Sequence, residues 1–488
     1  MTFAICLLYN SNTAMFLKRG NMDSKLTKKY GLLTAICMVV GIVIGSGVFF
    51  KAQTILTKTG GNMPLGIWAW IIGGVIMMVC ALAFSQMAQR YEKVNGIVDY
   101  AEATVGSKYA YYVGWFTTTI YFPAMTSVLA WLSARYTLVF LVSVCPNLKL
   151  IIPASEGGAV IGPECMALTM FYLCASYAVN GLSPKLSGKF QVSTTVIKMI
   201  PLVLMAVVGV VMGLVNGTLG SNFTTAAAVT TGASNGSLLL AAVCSTAFAY
   251  EGWIIVTSIN SEIKDSKKNL PKALVIGCLI VMTIYVTYYI GVAGGAANQD
   301  LIDNGATIAF INVFGPVFGN ILNLFIAISC LGTLNGLMLG VTRCMYSLAV
   351  RGEGPAPKVF SQVDPSTNMP NNSAVFGLMI TAAWGLYFFL ANLAQTWTGP
   401  FVFDSSELPI ITIYGFYLPI LIQWMRKTKD ASVTQRYIIP ALAAAGSCFM
   451  IYASIVSHGI ENFWYLIVFA VIMVIGGLLN RRNHQEQS

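Results

Sequence analysis

The stretch Gly31-Leu-Leu-Thr-Ala-Ile-Cys-Met-Val-Val-Gly-Ile-Val-Ile-Gly-Ser-Gly-Val-Phe-Phe50 decides the fold. A run of about 20 apolar residues crosses the hydrocarbon core of a bilayer as a helix, yet Gly41, Gly45 and Gly47 fall in the middle of this one. Glycine costs about 0.8–1 kcal/mol against alanine in a helix interior. A lone glycine reads as a close-packing face, because small residues let membrane helices approach one another. Gly45-Ser46-Gly47, followed at once by Val48-Phe49-Phe50, is different. Two glycines and a hydroxyl within three residues let the chain unwind and leave amide N–H groups unpaired. Those amides open a new half-helix at its positive dipole end, where a carboxylate or similar anion is held without any basic side chain. Unpaired backbone at membrane depth persists only where protein or a wet cavity surrounds it. A break here therefore implies a site here.

Outward from that stretch, the composition excludes a soluble enzyme. The 488 residues are 56% hydrophobic and only 9% charged, against about 25% charged in soluble domains. Spans are predicted near 32–57, 65–89, 108–140, 164–181, 190–214, 238–262, 271–293, 313–350, 372–392, 401–424, 436–456 and 460–480. The net charge of +10 is a matter of topology and not of a polyanion site, so no nucleic-acid partner is expected. With the N-terminus inside, Lys25, Lys28, Lys29, Arg90, Lys93, Lys108, Lys185, Lys189, Lys264, Lys267, Lys268 and Lys272 fall on the cytoplasmic side. Arg351, Lys358, Arg426, Lys427, Lys429, Arg436, Arg481 and Arg482 join them, whereas the outside holds little beyond Lys149, Lys51 and Lys58. That asymmetry fixes an even number of spans with both ends cytoplasmic. Phe3 to Tyr9 is a poor signal peptide, since no basic region precedes it, and Met22 is an alternative start. Eleven cysteines and two histidines, His458 and His484, show no CxxC or CxxH spacing, so neither a metal site nor a cofactor is expected.

A second break is predicted at Thr246-Ala-Phe-Ala-Tyr-Glu-Gly-Trp253, where Glu251 and Gly252 interrupt an apolar run. An ionisable residue inside a span points to function, although a purely structural partner is the plainer alternative. Two glycine-interrupted helices in matching positions of two halves are the pointer to an inverted-repeat transporter. The breaks fall in the first and sixth spans. Each repeat then has five helices, 32–214 and 238–424, with helices 11 and 12 (436–480) appended and tails at 1–31 and 481–488.

The run Gly41-Ile-Val-Ile-Gly-Ser-Gly-Val-Phe49 resembles the helix 1 signature of the amino acid–polyamine–organocation superfamily. Phe248-Ala-Tyr-Glu-Gly-Trp253, Ser261-Glu-Ile-Lys264 and Asn269-Leu-Pro-Lys-Ala273 look like helix 6 and the next loop of its L-amino acid transporter branch. The resemblance covers Tyr30 to Asn480 and implies an all-α membrane protein of the LeuT-type fold, with helices 1 and 6 unwound around the substrate. It implies that the amides of Gly45, Ser46 and Gly47 hold the substrate carboxylate. Carbonyls near Ile42 and Val43, with those of Phe248 and Ala249, would accept from its ammonium group. Tyr250 or Trp253 would gate the outward side. Lys198, about two turns inside the fifth span, would stand in for a coupling sodium ion beside helices 1 and 8, although a lysine near a helix end can also snorkel to the surface.

Tyr121, Met125, Asn335 and Met338 are candidates for the side-chain pocket, and Arg135 and Arg343 for packing or interface roles. Cys145 sits where eukaryotic relatives bridge to a glycoprotein subunit, but the surrounding sequence departs from theirs and no such heavy chain is expected. The implied activity is sodium-independent exchange of neutral amino acids by alternating access in the cytoplasmic membrane. Proton symport stays open, and so does a cationic amino acid or polyamine substrate should Glu251 face the site. A channel would need charge rings or a repeated carbonyl filter, and an enzyme a catalytic constellation. Neither pattern is visible in the sequence.

Overall fold

The computed structural model describes residues 27–91, 95–145, 147–224, 234–394, 396–397 and 399–487; Met22 lies outside them. Among the described residues, twelve helices are long and apolar enough to cross a membrane. They are α1 (Leu32–Lys58), α2 (Met63–Arg90), α3 (Ser107–Val144), α4 (Gly158–Leu182), α5 (Pro184–Val215) and α6 (Asn235–Glu262). The rest are α7 (Ser266–Gly295), α8 (Pro316–Ala349), α9 (Asn371–Leu393), α10 (Leu408–Lys427), α11 (Thr434–His458) and α12 (Glu461–Arg481). Twelve crossings return the chain to the face it started from. We call that side, near Lys29 and Arg481, the terminal face, and its opposite the far face.

Four starts, those of α4, α5, α7 and α10, differ from the sequence reading by five residues or more, and three of them have a local reason. α10 begins at Leu408 and not near 401, because the Asp404 carboxylate accepts from the amides of Ser406 (2.7 Å) and Glu407 (3.1 Å) and folds 404–407 into a turn. α5 begins six residues earlier than its apolar run, at Pro184, because the Ser183 hydroxyl caps the Leu186 amide and the lysine-bearing first turns stay helical. α4 gains an extra turn, Gly158–Ile161, before Pro163 starts its main segment.

Both expected breaks are present. α1 consists of Leu32–Val43 and Gly47–Lys58, joined by the non-helical residues 44–46. α6 consists of Asn235–Tyr250 and a 3-10 segment, Trp253–Glu262, with Gly252 at φ 104° between them. That left-handed backbone favours glycine, and a Cβ there would also meet Ile42 Cγ2 at 2.8 Å. Across the same contact, a Cβ on Gly47 would lie 2.7 Å from the Cα of Ala249. The two breaks therefore lean on each other and are held by backbone proximity.

α1, α6 and α8 are the most buried spans and α12 the least. Side chains such as Val207, Val211 and Leu214 on α5 and Val471, Val474 and Leu478 on α12 face outward, as expected for surfaces that meet lipid. Lipid gives helices no hydrophobic reason to associate, so close packing must do it. Gly209 and Gly213 of α5 show this: a Cβ on either would lie 2.4 Å from the backbone of Gly291 or Gly294 in α7.

Candidate functional site

At the crossing of the two breaks lies a small cavity. Ile42, Val43, Gly45, Ser46 and Gly47 line it from α1, and Phe248, Glu251 and Gly252 from α6. Met125 and Leu129 of α3 and Thr333 and Leu337 of α8 complete the wall. Each of those two pairs is spaced i, i+4, so each helix presents one stripe.

The backbone of the α1 break divides its polar groups. The Gly45 amide closes a tight turn on the Val43 carbonyl at 2.9 Å, while among the described residues the Ser46 and Gly47 amides have no backbone acceptor. Two of the three expected amides are therefore free at the start of the Gly47–Lys58 half-helix. The carbonyls sort likewise. Tyr285 of α7 donates its hydroxyl to those of Val43 and Ala249, both at 3.0 Å, and ties the two breaks together. Among the described residues, the Ile42 and Phe248 carbonyls receive no such bond.

Lys198 does not snorkel. Its fully buried ammonium donates to the carbonyls of Gly41 (2.8 Å), Ile44 (2.5 Å) and Ser329 (3.0 Å), with the Thr333 hydroxyl at 3.4 Å. Ser329 and Thr333 of α8 add their own hydroxyl donors to the Ile44 carbonyl, at 3.2 and 3.1 Å. The carbonyls freed by unwinding thus face a cation and two hydroxyls behind the cavity wall.

Glu251 faces the cavity, with one carboxylate oxygen accepting from the Tyr121 hydroxyl and the other without a hydrogen-bond partner. Tyr121 stands one turn before Met125 on the same α3 stripe, at the end of a π-helical turn, Thr117–Tyr121, and reaches the site only through Glu251. Several expected residues lie elsewhere. Ala249 is buried beside the wall, against Gly47. Tyr250 turns to α2, where its hydroxyl donates to the Trp70 carbonyl at 2.9 Å. Trp253 follows the break, on the half of α6 that runs to the terminal face, packed against Phe84 and Tyr417. Neither aromatic is among the residues that line the cavity. Asn335 points away from the stripe of Thr333 and Leu337 into a polar network with Asn180 and Gln191, each at 3.0 Å, and Met338 is buried outside the lining. Leu129, Thr333 and Leu337 went unnoticed in the sequence, although i, i+4 spacing from Met125 points to Leu129; Gly252, read there as part of the break, also lines the cavity.

Ion-paired clusters flank the cavity on both sides. Toward the terminal face, buried Glu262 of α6 binds Arg343 of α8 and Lys29 (3.4 Å), and the backbone of Lys29 and Tyr30 pairs with that of Glu262 and Lys264. Arg343 is therefore the cation of a buried closure, while Arg135 lies over the rings of Trp131 and Tyr136. Toward the far face, Lys51 binds Glu407, which also bonds His458 at 3.1 Å, and the Lys51 ammonium lies 5.4 Å from the centre of the Phe248 ring. Phe248 both lines the cavity and lies beside Lys51. Exposed Cys145 ends α3 far along the chain from these groups.

Sequence comparison finds relatives among amino acid transporters. The sequence model described as amino acid permease matches residues 30–478. The serine/threonine exchanger of Bacillus subtilis (strain 168) is 27% identical over 445 residues, which is 89% of this chain and 93% of that protein. The b(0,+)-type amino acid transporter 1 of Mus musculus is 25% identical over 458 residues, 93% of this chain and 88% of its own. The human Asc-type amino acid transporter 1 is 24% identical over 434 residues, covering 89% and 78%.

Proposed function

From the premise that this chain belongs to the amino acid permease family, we propose that it exchanges neutral α-amino acids across the cytoplasmic membrane by alternating access and without sodium. The observation that carries this reading is the pairing of free donors and free acceptors across one cavity. The Ser46 and Gly47 amides suit a carboxylate at a helix N-terminus. The Ile42 and Phe248 carbonyls suit an ammonium group. Such contacts recognise the zwitterion and leave the side chain to Met125, Leu129, Leu337 and Glu251. The 5+5 repeat, 32–214 and 238–424, supplies the two broken helices, and the terminal face is the cytoplasmic one because it carries the basic loops.

Lys198 couples the site to helix movement. It holds the Gly41 and Ile44 carbonyls where a sodium ion would otherwise be needed. Opening to the cytoplasm separates Glu262 from Arg343 and Lys29; opening outward separates Lys51 from Glu407, with Phe248 as the outer lid. The chain works without a glycoprotein subunit and returns its substrate chemically unchanged.

The test is uptake of labelled serine by the purified chain in liposomes. Exchange requires unlabelled amino acid inside, whereas a proton symporter fills empty vesicles when the pH gradient is imposed. Uptake into empty vesicles driven by that gradient would overturn the exchange reading. A second reading rests on the unbonded Glu251 oxygen at the cavity, which would suit a cationic side chain. Competition by lysine or arginine in the native chain, lost in Glu251→Gln, would favour it.

A further inference from the structure

Three metal-ligating side chains from separate parts of the sequence meet at the far face. Cys244 comes from α6, Glu407 from the residue before α10, and His458 from the last position of α11. Their ligand atoms all lie within 4.8 Å of one another, and His458 Nε2 is 3.1 Å from Glu407 Oε2. A tetrahedral zinc ion with bonds of about 2.0–2.3 Å sets its ligand atoms about 3.3–3.8 Å apart, so a shift of about 1 Å in the widest pair completes the site. The other ring nitrogen, His458 Nδ1, lies 3.6 Å from Glu461 Oε2. A carboxylate behind a histidine is the arrangement that orients ligating imidazoles.

We propose that Cys244, Glu407 and His458 bind a thiophilic divalent cation of the Zn²⁺ class and that its occupancy ties α6 to α10 and α11, holding the far end of the cavity closed. A thiolate, an imidazole and one carboxylate select zinc over magnesium or calcium, which take all-oxygen sets. On binding, the Cys244 thiol gives its proton to solvent, His458 coordinates as the neutral ring, and thiolate and carboxylate balance the ion's two charges. Lys51 keeps the second Glu407 oxygen, Oε1, so the existing closure and the metal share one carboxylate. The clamp follows from topology: Cys244 lies on the first half of α6, ahead of the break at Glu251 and Gly252. Spacing could not reveal this set, because positions 244, 407 and 458 are far apart along the chain.

The experiment uses the full-length purified chain. Zn²⁺ titration by calorimetry is expected to give one saturable site per chain, and Co²⁺ a near-ultraviolet thiolate-to-metal absorption band. Cys244→Ser should abolish that band and His458→Ala the saturable site, while Glu461→Gln should weaken affinity about 10–100-fold. In proteoliposomes, Zn²⁺ should inhibit serine exchange reversibly on chelation. Cys244→Ser should exchange normally in metal-free buffer and resist the inhibition. No saturable binding, a Co²⁺ band that persists in Cys244→Ser, or binding without inhibition would overturn the proposal. The spectroscopic readout does not depend on transport, so its failure is separable from failure of the transport reading.

Discussion

At the scale of single residues, Lys198 carries the sharpest consequence. Its ammonium gathers carbonyls from both sides of the α1–α8 contact, and a hydrogen bond to a charged group contributes about 1.5–3 kcal/mol. Lys198→Ala leaves those carbonyls without their cation, so serine exchange should fall by about tenfold or more at unchanged expression, measured in proteoliposomes. Gly47 makes a different demand. A methyl there would press on the Ala249 backbone at 2.7 Å, and overpacking of this kind costs about 1–3 kcal/mol. Gly47→Ala should therefore reduce binding of labelled serine to the purified chain, while Gly236→Ala, whose Cβ would meet nothing nearer than Ser234 Oγ at 4.0 Å, should not. The positions of Gly45, Ser46, Gly47, Glu251 and Lys198 were legible because each breaks a rule of apolar helices. Asn335 and Met338 were misplaced because an apolar span offers no polar face from which to read its rotation. Only the packed neighbours reveal that Thr333 and Leu337 are the stripe that faces inward.

At the scale of elements, both broken helices could be read from glycine and charge, and their mutual contact could not. Gly252 against Ile42 and Gly47 against Ala249 come from positions some two hundred residues apart, with no local signature. Trp253 lies away from the expected end for a directional reason: α6 descends from the far face, so a residue after its break sits on the side of the terminal face. The loop between α8 and α9 adds a pH dependence outside the membrane. Burial raises the Glu353 carboxyl to about 7, against the pull of Arg351 and with help from Glu102. A carboxyl raised in the folded state stabilises the fold below its unfolded value, and that contribution is lost as pH rises through the folded one. Thermal unfolding of Glu353→Gln should therefore gain on the native chain between about pH 5 and pH 8. Equal pH profiles for the two proteins would show that Glu353 is free to ionise in the fold.

At the scale of the molecule, twelve apolar spans and a one-sided charge distribution were legible because a bilayer imposes both length and sign. What the chain cannot announce locally is closure. Glu262 with Arg343 and Lys29, and Lys51 with Glu407 and His458, are assembled from distant spans into two ion-paired clusters on either side of one cavity. The proposed alternating access needs two such clusters to open in turn, and the proposed recognition holds the substrate by groups common to every amino acid. The most direct measurement is therefore competition for labelled serine exchange by free α-amino acids, their methyl esters and their N-acetyl derivatives. The expected result is competition by free neutral amino acids and none by either blocked form, because the first lacks the carboxylate and the second the ammonium. Competition by the methyl ester or the N-acetyl form as strong as by the free amino acid would contradict recognition through the broken helices.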